Sequence, residues 1–463
     1  MPFKEFPADL AVLLVSEYIS PDDIEAFSLT CRGIHELAKC RLRKHKELKA
    51  AYGTISLDTY VVEHGIESWD NVYRCCSDAW TKYYPRHIII TSYKVAQTDA
   101  NPNYVSDRVA SMARLSAFST PEDVRDWDLQ TWEAQQDAAA ALCLGLFPNI
   151  QHIELVCKQD SWPELLWELT GTVIDRVVAS RENQKGTQAL TKLNKVSARS
   201  QDFHIRPLMY LGWFRYFSAI PTVEDFEVDN ILALTHEEHK YIDTPRISNI
   251  TRVSVTTSLI STNLFSEFFS QIRSLRTFEY TFVPCLRSVH HADVQRRSDG
   301  QRYRMLIDTL LEHAGETLQT LKLSSACYSC TSQIDSLQNF TSLKHIALSA
   351  SMLPRKGAAL LNPAKILPAK VAYLKIEGPF AHTHQRTHMS DKDHQDELLK
   401  FLPDIGKQFG ALRYQTLGLV KGEPEIGLNT PDRRTRHTLH PGPGALQRLK
   451  PNEKLEWVEC GGE

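Results

Sequence analysis

Two hydrophobic periods divide the chain. Over residues 6–38, FPADLAVLLVSEYISPDDIEAFSLTCRGIHELA, apolar side chains recur every three to five residues, the spacing that lines one face of a helix. Leu10, Leu13, Leu14, Tyr18 and Ile19 form the first stripe after the turn Phe6-Pro7, and Asp9 falls in the first helical turn, where a carboxylate favours the helix dipole. SPDD then restarts the chain, with Ser20 expected as the cap, Pro21 at the first helical position and Asp23 as a capping-box carboxylate. Ile24, Phe27 and Leu29 supply a second helix. Ile34, Leu37, Ala38 and Leu42 supply a third, which ends in the basic run KCRLRKHKELK. Three helices in about 45 residues bury little surface, and the first two carry apolar residues on more than one face, so part of this surface is expected to meet another protein.

Beyond this segment the period shortens. An apolar residue, two residues, an apolar residue, one residue and a third apolar residue put the last two side chains on the same face of a short strand. The pattern occurs at Ile150-Ile153-Leu155, Val223-Phe226-Val228, Ile250-Val253-Val255, Leu275-Phe278-Tyr280, Leu318-Leu321-Leu323, Leu343-Ile346-Leu348 and Val371-Leu374-Ile376, and less strongly at Leu193-Val196-Ala198, Tyr414-Leu417-Leu419 and Leu455-Val458-Cys460. Chance supplies such triplets on the order of ten times in this length, so the spacing carries the reading. Starts at 223, 250, 275, 318, 343 and 371 are separated by 27, 25, 43, 25 and 28 residues. Most of these fall in the ~20–29-residue period of leucine-rich repeats. NLFSEFFSQI at 263, YRMLIDTLLEHAGETL at 303 and DELLKFLP at 396 have helical periodicity, with Gly315 at a helix end. Strand, helix and strand at this period predict an α/β fold: a degenerate leucine-rich-repeat solenoid over 146–463, with 50–145 as a linker and the solenoid's start and RHIIITS at 86–92 as a first strand. A doubly wound or other α/β parallel sheet is the alternative.

Composition narrows function mainly by exclusion. The 463 residues are 42% hydrophobic and 24% charged, and the formal charge of -3 offers no general attraction to nucleic acid or an acidic membrane. The longest apolar run, AAAALCLGLF at 138–147, is about half of what a membrane-spanning helix requires. Scattered cysteines and the absence of a signal-like N-terminus point to the cytosol or nucleus. His382, His384, His388 and His394, beside Asp391 and Asp393, include an i, i+4 histidine pair, but the segment lacks the apolar periodicity of a zinc-binding helix and reads as a polar loop. Cys327 and Cys330 form an isolated CYSC without a second ligand pair. PDRRTRHTLH at 431 and RLRKHK at 41 read as a solvated segment and a helix end. No glycine-rich phosphate loop or Gly-x-Ser-x-Gly elbow is present, so neither a catalytic constellation nor a cofactor is expected.

Residues 1–49 resemble the F-box. The resemblance rests on Pro7 after an aromatic residue, Asp9, Tyr18-Ile19, Pro21-Asp22-Asp23-Ile24, Leu29, Cys31-Arg32 and Leu37-Ala38. F-box modules followed by irregular leucine-rich repeats are similar to a broad class of fungal-type F-box proteins, with LIDTLLEHAGETLQTLKLS as the most similar later stretch. The resemblance implies a non-catalytic substrate receptor that binds a Skp-family adaptor and, through it, a cullin, and that presents an unidentified target protein from its repeats. Phe6, Pro7, Leu10, Leu14, Ile19, Ile24, Phe27 and Leu29 are then the expected adaptor contacts. The alternatives are an F-box scaffold that does not direct ubiquitination and a metal-dependent enzyme using the cluster from His382 to His394.

Overall fold

The short-period segments are parallel strands, and the long-period segments between them are helices. The computed structural model describes residues 19, 21–30, 32–58, 72–78, 80–92, 132–157, 168–182, 189–200, 212–230, 232–233, 248–260, 262–282, 292–325, 333–349, 352–353, 355–356, 359–360, 365–377, 413–416, 418–419 and 437–438. They belong to two units, Met1–Asn230 and Ile231–Glu463. Each is α/β with a parallel sheet.

In the first unit β1 (Thr54–Asp58), β2 (His87–Ser92), β3 (His152–Cys157), β4 (Lys195–Ser200) and β5 (Asp225–Asp229) each pair in parallel with the next strand in sequence. Ile55, Ile88, Ile153, Val196 and Phe226 share one register position, and Leu57, Ile90, Leu155, Ala198 and Val228 share another. All ten are buried. Helices α3 (Trp132–Leu146), α4 (Glu168–Glu182) and α5 (Gly212–Ser218) pack in succession, α3 on α4 and α4 on α5. The buried Asp137 of α3 accepts the Thr170 N–H at 2.9 Å and so ties α3 to α4.

In the second unit β6 (Leu232–Ala233) pairs with β7 (Arg252–Ile260), and the parallel order continues through β8 (Thr277–Phe282), β9 (Thr320–Ser325) and β10 (His345–Ser349). After the small antiparallel pair β11 (Arg355–Lys356) and β12 (Ala359–Leu360), the order resumes with β13 (Tyr373–Glu377) and β14 (Arg413–Thr416). A last antiparallel pair joins β15 (Gly418–Leu419) to β16 (His437–Thr438). Helices α6 (Thr262–Ser270) and α7 (Ala292–Ala314) pack together, and the aromatic core combines Phe265, Phe268, Phe269, Phe278, Tyr280 and Tyr303. Phe269 meets Phe278 edge-on at 5.2 Å, and Phe265 meets Tyr280 edge-on at 5.5 Å, the arrangement aromatic quadrupoles favour.

One backbone device recurs in both units. The carbonyl just before a strand accepts two N–H groups from the start of the next strand: Gly53 O from Arg86 and His87, Arg86 O from Gln151 and His152, and Gln151 O from Asn194 and Lys195. Thr251, Arg276, Gln319 and Lys344 repeat it in the second unit. This satisfies backbone groups at the strand ends and fixes zero register slip, so triplets separated by 25 or by 43 residues superpose equally well. Gly53 and Gly315 follow helices α2 and α7, and a Cβ at either would lie 2.5 Å from the carbonyl oxygen of Lys49 or Leu311. Only glycine admits that approach without a shift.

The eight triplets starting at Ile150, Leu193, Val223, Ile250, Leu275, Leu318, Leu343 and Val371 are buried at all three positions. Three local readings change. RHIIITS is the second strand, because β1 precedes it directly behind helix α2. Tyr414 lies in register with Leu374, so it holds the middle position of its triplet rather than the first. Helix α1 (Ile24–Ser28) starts with Asp23 at the N-cap and Pro21 in the preceding turn, so the helix begins later than the expected first helical position at Pro21; Ser20, the expected cap, lies outside the described residues. The triplet at Leu455, the cluster from His382 to His394, CYSC and the helix at 396 lie outside the described residues. No described helix is long and apolar enough to cross a membrane.

Candidate protein-binding surfaces

The N-terminal module consists of α1 and the long α2 (Arg32–Tyr52). Ile34, Ala38 and Leu42 form an i, i+4 stripe on α2, and Ile24, Ala38 and Leu42 make a small core against which Ile19 and Phe27 are partly buried. Of the expected adaptor contacts, Ile24 is therefore internal, Ile19 and Phe27 border the core, and Leu29 stands in solvent at 77% exposure. Phe6, Pro7, Leu10 and Leu14 lie outside the described residues. Leu37, in the same segment, is also exposed, at 43%.

The module is held to the first strands by polar contacts. Asp22 pairs with both Arg86, at the start of β2, and Lys192, before β4. Burial disfavours ionisation of Asp22, but its bonds to Lys192 and Arg86 outweigh this and hold the carboxyl below its usual range. His45 of α2 is buried; its Nδ1 lies 3.1 Å from the Tyr84 hydroxyl and its Nε2 3.2 Å from Glu25 Oε1. These partners assign a neutral ring that accepts from Tyr84 and donates to Glu25. Burial lowers its pKa against the opposing pull of Glu25. The bond from Lys49 holds Glu25 ionised.

The second surface is the outward face of the strands, built from residues that alternate with the buried triplets. In the first unit, His87 and His152 stack on adjacent strands with centroids 4.2 Å apart. His152 Nε2 lies 2.6 Å from Ser197 Oγ, and His87 Nε2 lies 3.0 Å from Glu154 Oε2 but off the hydrogen-bond axis. Arg199 pairs with Glu154 and Lys195 with Glu227 at 2.6 Å. Burial, followed by the nearby His87, Lys195 and Arg199, pushes His152 down to about 3; burial also lowers His87 against the pull of Glu154. Both rings are neutral at neutral pH. In the second unit Glu279 receives Lys322 Nζ at 2.9 Å and Arg252 Nη2 at 3.5 Å, and His345 sits beside Tyr373 with centroids 6.1 Å apart.

None of these outward residues follows from inspecting one segment, because each row is assembled from strands tens of residues apart. Their signal is the residue between the second and third apolar positions of each triplet: Glu154, Ser197, Glu227, Ser254, Glu279, Lys322, Ala347 and Lys375. No metal-binding group of histidine, cysteine, aspartate or glutamate occurs among the described residues. Cys75, Cys76 and Cys143 are buried free thiols; burial raises all three, Cys75 to about 12, which leaves them without thiolate character at neutral pH.

No protein-family model and no curated protein matches the chain. Among solved structures, a crystal structure of the Rad7 and Elc1 complex in yeast is similar at 10% identity and a TM-score of 0.24, over 84% of this chain and 92% of that one, too loosely to carry an argument about function.

Proposed function

We propose that the chain is a substrate receptor of a Skp–cullin–F-box type ubiquitin ligase, with its strands arranged as a leucine-rich-repeat solenoid. Strictly sequential parallel pairing and the repeated two-donor turn favour the solenoid over a doubly wound sheet, whose strand order reverses at a switch point. The observation that carries the functional reading is the division of labour in the F-box-like segment: Ile24, Ala38 and Leu42 close a core while Leu29 and Leu37 remain in solvent. A module that existed only to support the sheet would gain by covering those leucines or replacing them with polar residues. The protein has no catalytic role in this reading; it raises the effective concentration of a target lysine near the ubiquitin-charged enzyme.

The test is co-expression of the full chain with a Skp-family adaptor. Leu29→Asp combined with Leu37→Asp abolishes adaptor recovery and leaves the far-ultraviolet circular dichroism unchanged. Ile24→Asp is unsuitable, because it places a charge in the core. Adaptor recovery equal to wild type overturns the proposal, and recovery of adaptor without cullin reduces it to a scaffold.

A further inference from the structure

Helix α2 carries more positive charge than its packing uses. Its 21 residues hold seven lysines and arginines against two glutamates, in a chain with 53 basic and 56 acidic residues. An advance of ~100° per residue sorts them onto two flanks of the buried row Ile34, Ala38, Leu42 and His45. One flank carries Arg32, His35, Lys39, Arg43 and Lys46 within a sector of ~80°; Leu37, Cys40 and Lys44 lie on the other. Arg32, Lys39, Arg43 and Lys46 are exposed and extend ~21 Å along the axis.

Contacts within the fold account for the basic residues outside this flank. Lys49 bonds Glu25, Arg41 lies 5.0 Å from the centre of the Trp80 ring, and Lys44 and Asp78 attract one another. On the flank itself Glu36 holds Lys39 at 2.5 Å, and Arg43 reaches the Cys40 sulfur at 3.7 Å. Glu36 and Glu47 border the row along one side only. Helix electrostatics do not explain the row. Arg32 is the first residue of α2, where the dipole disfavours a cation, and Lys39 and Arg43 lie too far from the C-terminal end to gain from it. Lys39 and Arg43 at i, i+4 and Arg43 and Lys46 at i, i+3 repel one another. A row kept against helix stability calls for a counter-charge from outside.

We infer that this flank docks an acidic helix of a partner protein, whose carboxylates meet Arg32, Lys39, Arg43 and Lys46. Two helices side by side share the ~5.4 Å pitch, so carboxylates on one face of the partner stay in step with the row. The bordering Glu36 and Glu47 favour a peptide, which can set lysines opposite them, over a nucleic acid, whose backbone is anionic throughout. An occupant that needs the basic segment extended is excluded, because Ile34, Ala38, Leu42 and His45 between the cations are buried in the fold as a helix. The inference does not rest on the receptor reading: Leu37 of the proposed adaptor face lies across the helix from this row.

The experiment uses the full chain without adaptor and a fluorescein-labelled, alanine-based helical peptide of about twenty residues, with glutamates on one face and lysines along one border of that face. Fluorescence anisotropy shows binding that weakens as sodium chloride is raised. Lys39→Gln, Arg43→Gln and Lys46→Gln combined lower the affinity about tenfold. Lys322→Gln, Lys344→Gln and Lys365→Gln remove the same charge from the second unit and leave binding unchanged. A peptide of the same composition with its glutamates scattered around the helix binds about tenfold more weakly. Arg43→Glu alone is a second variant at an exposed position, with the same expected direction. Circular dichroism matching wild type establishes that each variant is folded. Absence of peptide binding, equal affinity of the triple variant or of the scattered peptide, or tighter binding of a single-stranded oligonucleotide of equal charge overturns the inference. Peptide binding by a chain that recovers no adaptor removes the ligase reading and leaves this one standing.

Discussion

The two units apply one backbone rule to different materials. Each repeats the two-donor turn and the buried triplet, yet in the first the space behind the strands takes small and aliphatic groups from α3 and α4, Ala138, Ala140, Ala141, Leu142, Leu144, Val173, Ile174 and Val177, and rings from α5, Phe214 and Phe217. The second fills it with the rings of Phe265, Phe268, Phe269, Phe278, Tyr280 and Tyr303. Among the described outward side chains, Glu154, Asp225, Glu227 and Asp229 outnumber Lys195 and Arg199 in the first, and Arg252, Lys322 and Lys375 outnumber Glu279 in the second. The repeat thus fixes the backbone and the inward volume, while the alternate positions vary without disturbing it.

The largest test of this contrast is on the inward side, where the units should fail in opposite ways. Phe278→Ala empties a site bounded edge-on by Phe265 and Phe269 and costs ~3–5 kcal/mol. Ala141→Leu adds bulk to a fully buried position of α3 and costs ~1–3 kcal/mol by overpacking. Urea unfolding gives the magnitudes, and hydrogen exchange assigns each loss to its own unit. Equal tolerance of added bulk at Ala141 and at Met305, an exposed residue of α7, would erase the distinction.

The inward side was also the part legible in the sequence. Eight triplets spaced to bury two strand side chains and one turn side chain do so, because burial of an alternating face is a local consequence of strand geometry. Tyr52-Ile55-Leu57 obeys the same spacing, but the basic helical run through Lys49 reaches Tyr52 and conceals the strand behind it. At β2 the first position is Pro85, which does not read as part of an apolar triplet. Asp22 was legible as turn chemistry, but its partners Arg86 and Lys192 come from turns 64 and 170 residues away, and only the folded register brings them to it. Leu29 and Ile24 look alike in an amphipathic pattern; which is core and which is solvent-facing depends on the angle at which α1 meets α2.

Acid should separate the units next. His45, His87 and His152, all in the first unit, have pKa values lowered mainly by burial, His152 to about 3. The groups facing His152 are His87, Lys195, Arg199 and the Ser197 hydroxyl, with Glu154 beside His87. A folded pKa below the unfolded value of about 6.5 means that the unfolded chain takes up the proton first. Stability from these rings is present above about pH 6.5 and declines as the pH falls toward about 3. For the partly exposed His152 the loss amounts to about 1 kcal/mol at pH ~5.5. His152→Gln retains a partner for Ser197 and reduces the slope between pH ~7 and ~5.5, as read by urea midpoints. Exchange in β3 and β4 should rise on acidification while β9 and β10 hold. Uniform acid loosening of both units would contradict the assignment to the stacked pair.

The smallest expected effect on stability is the most informative about the outward faces. Glu279→Gln removes the carboxylate shared by Lys322 and Arg252, two exposed contacts worth together ~0–1 kcal/mol. If Glu279 holds the two cations in place, the variant loses this stability at low salt and less of it at high salt. The 3.5 Å contact to Arg252 is at the outer limit of a hydrogen bond and Arg252 Nε has no hydrogen-bond partner, so Glu279 organises Arg252 only loosely. Most of the loss should therefore come from Lys322, and the urea midpoints of the variant and wild type should converge as salt screens the pair. Glu227→Gln, which releases Lys195 in the first unit, should cost less still, because Asp225 stays in register with that lysine.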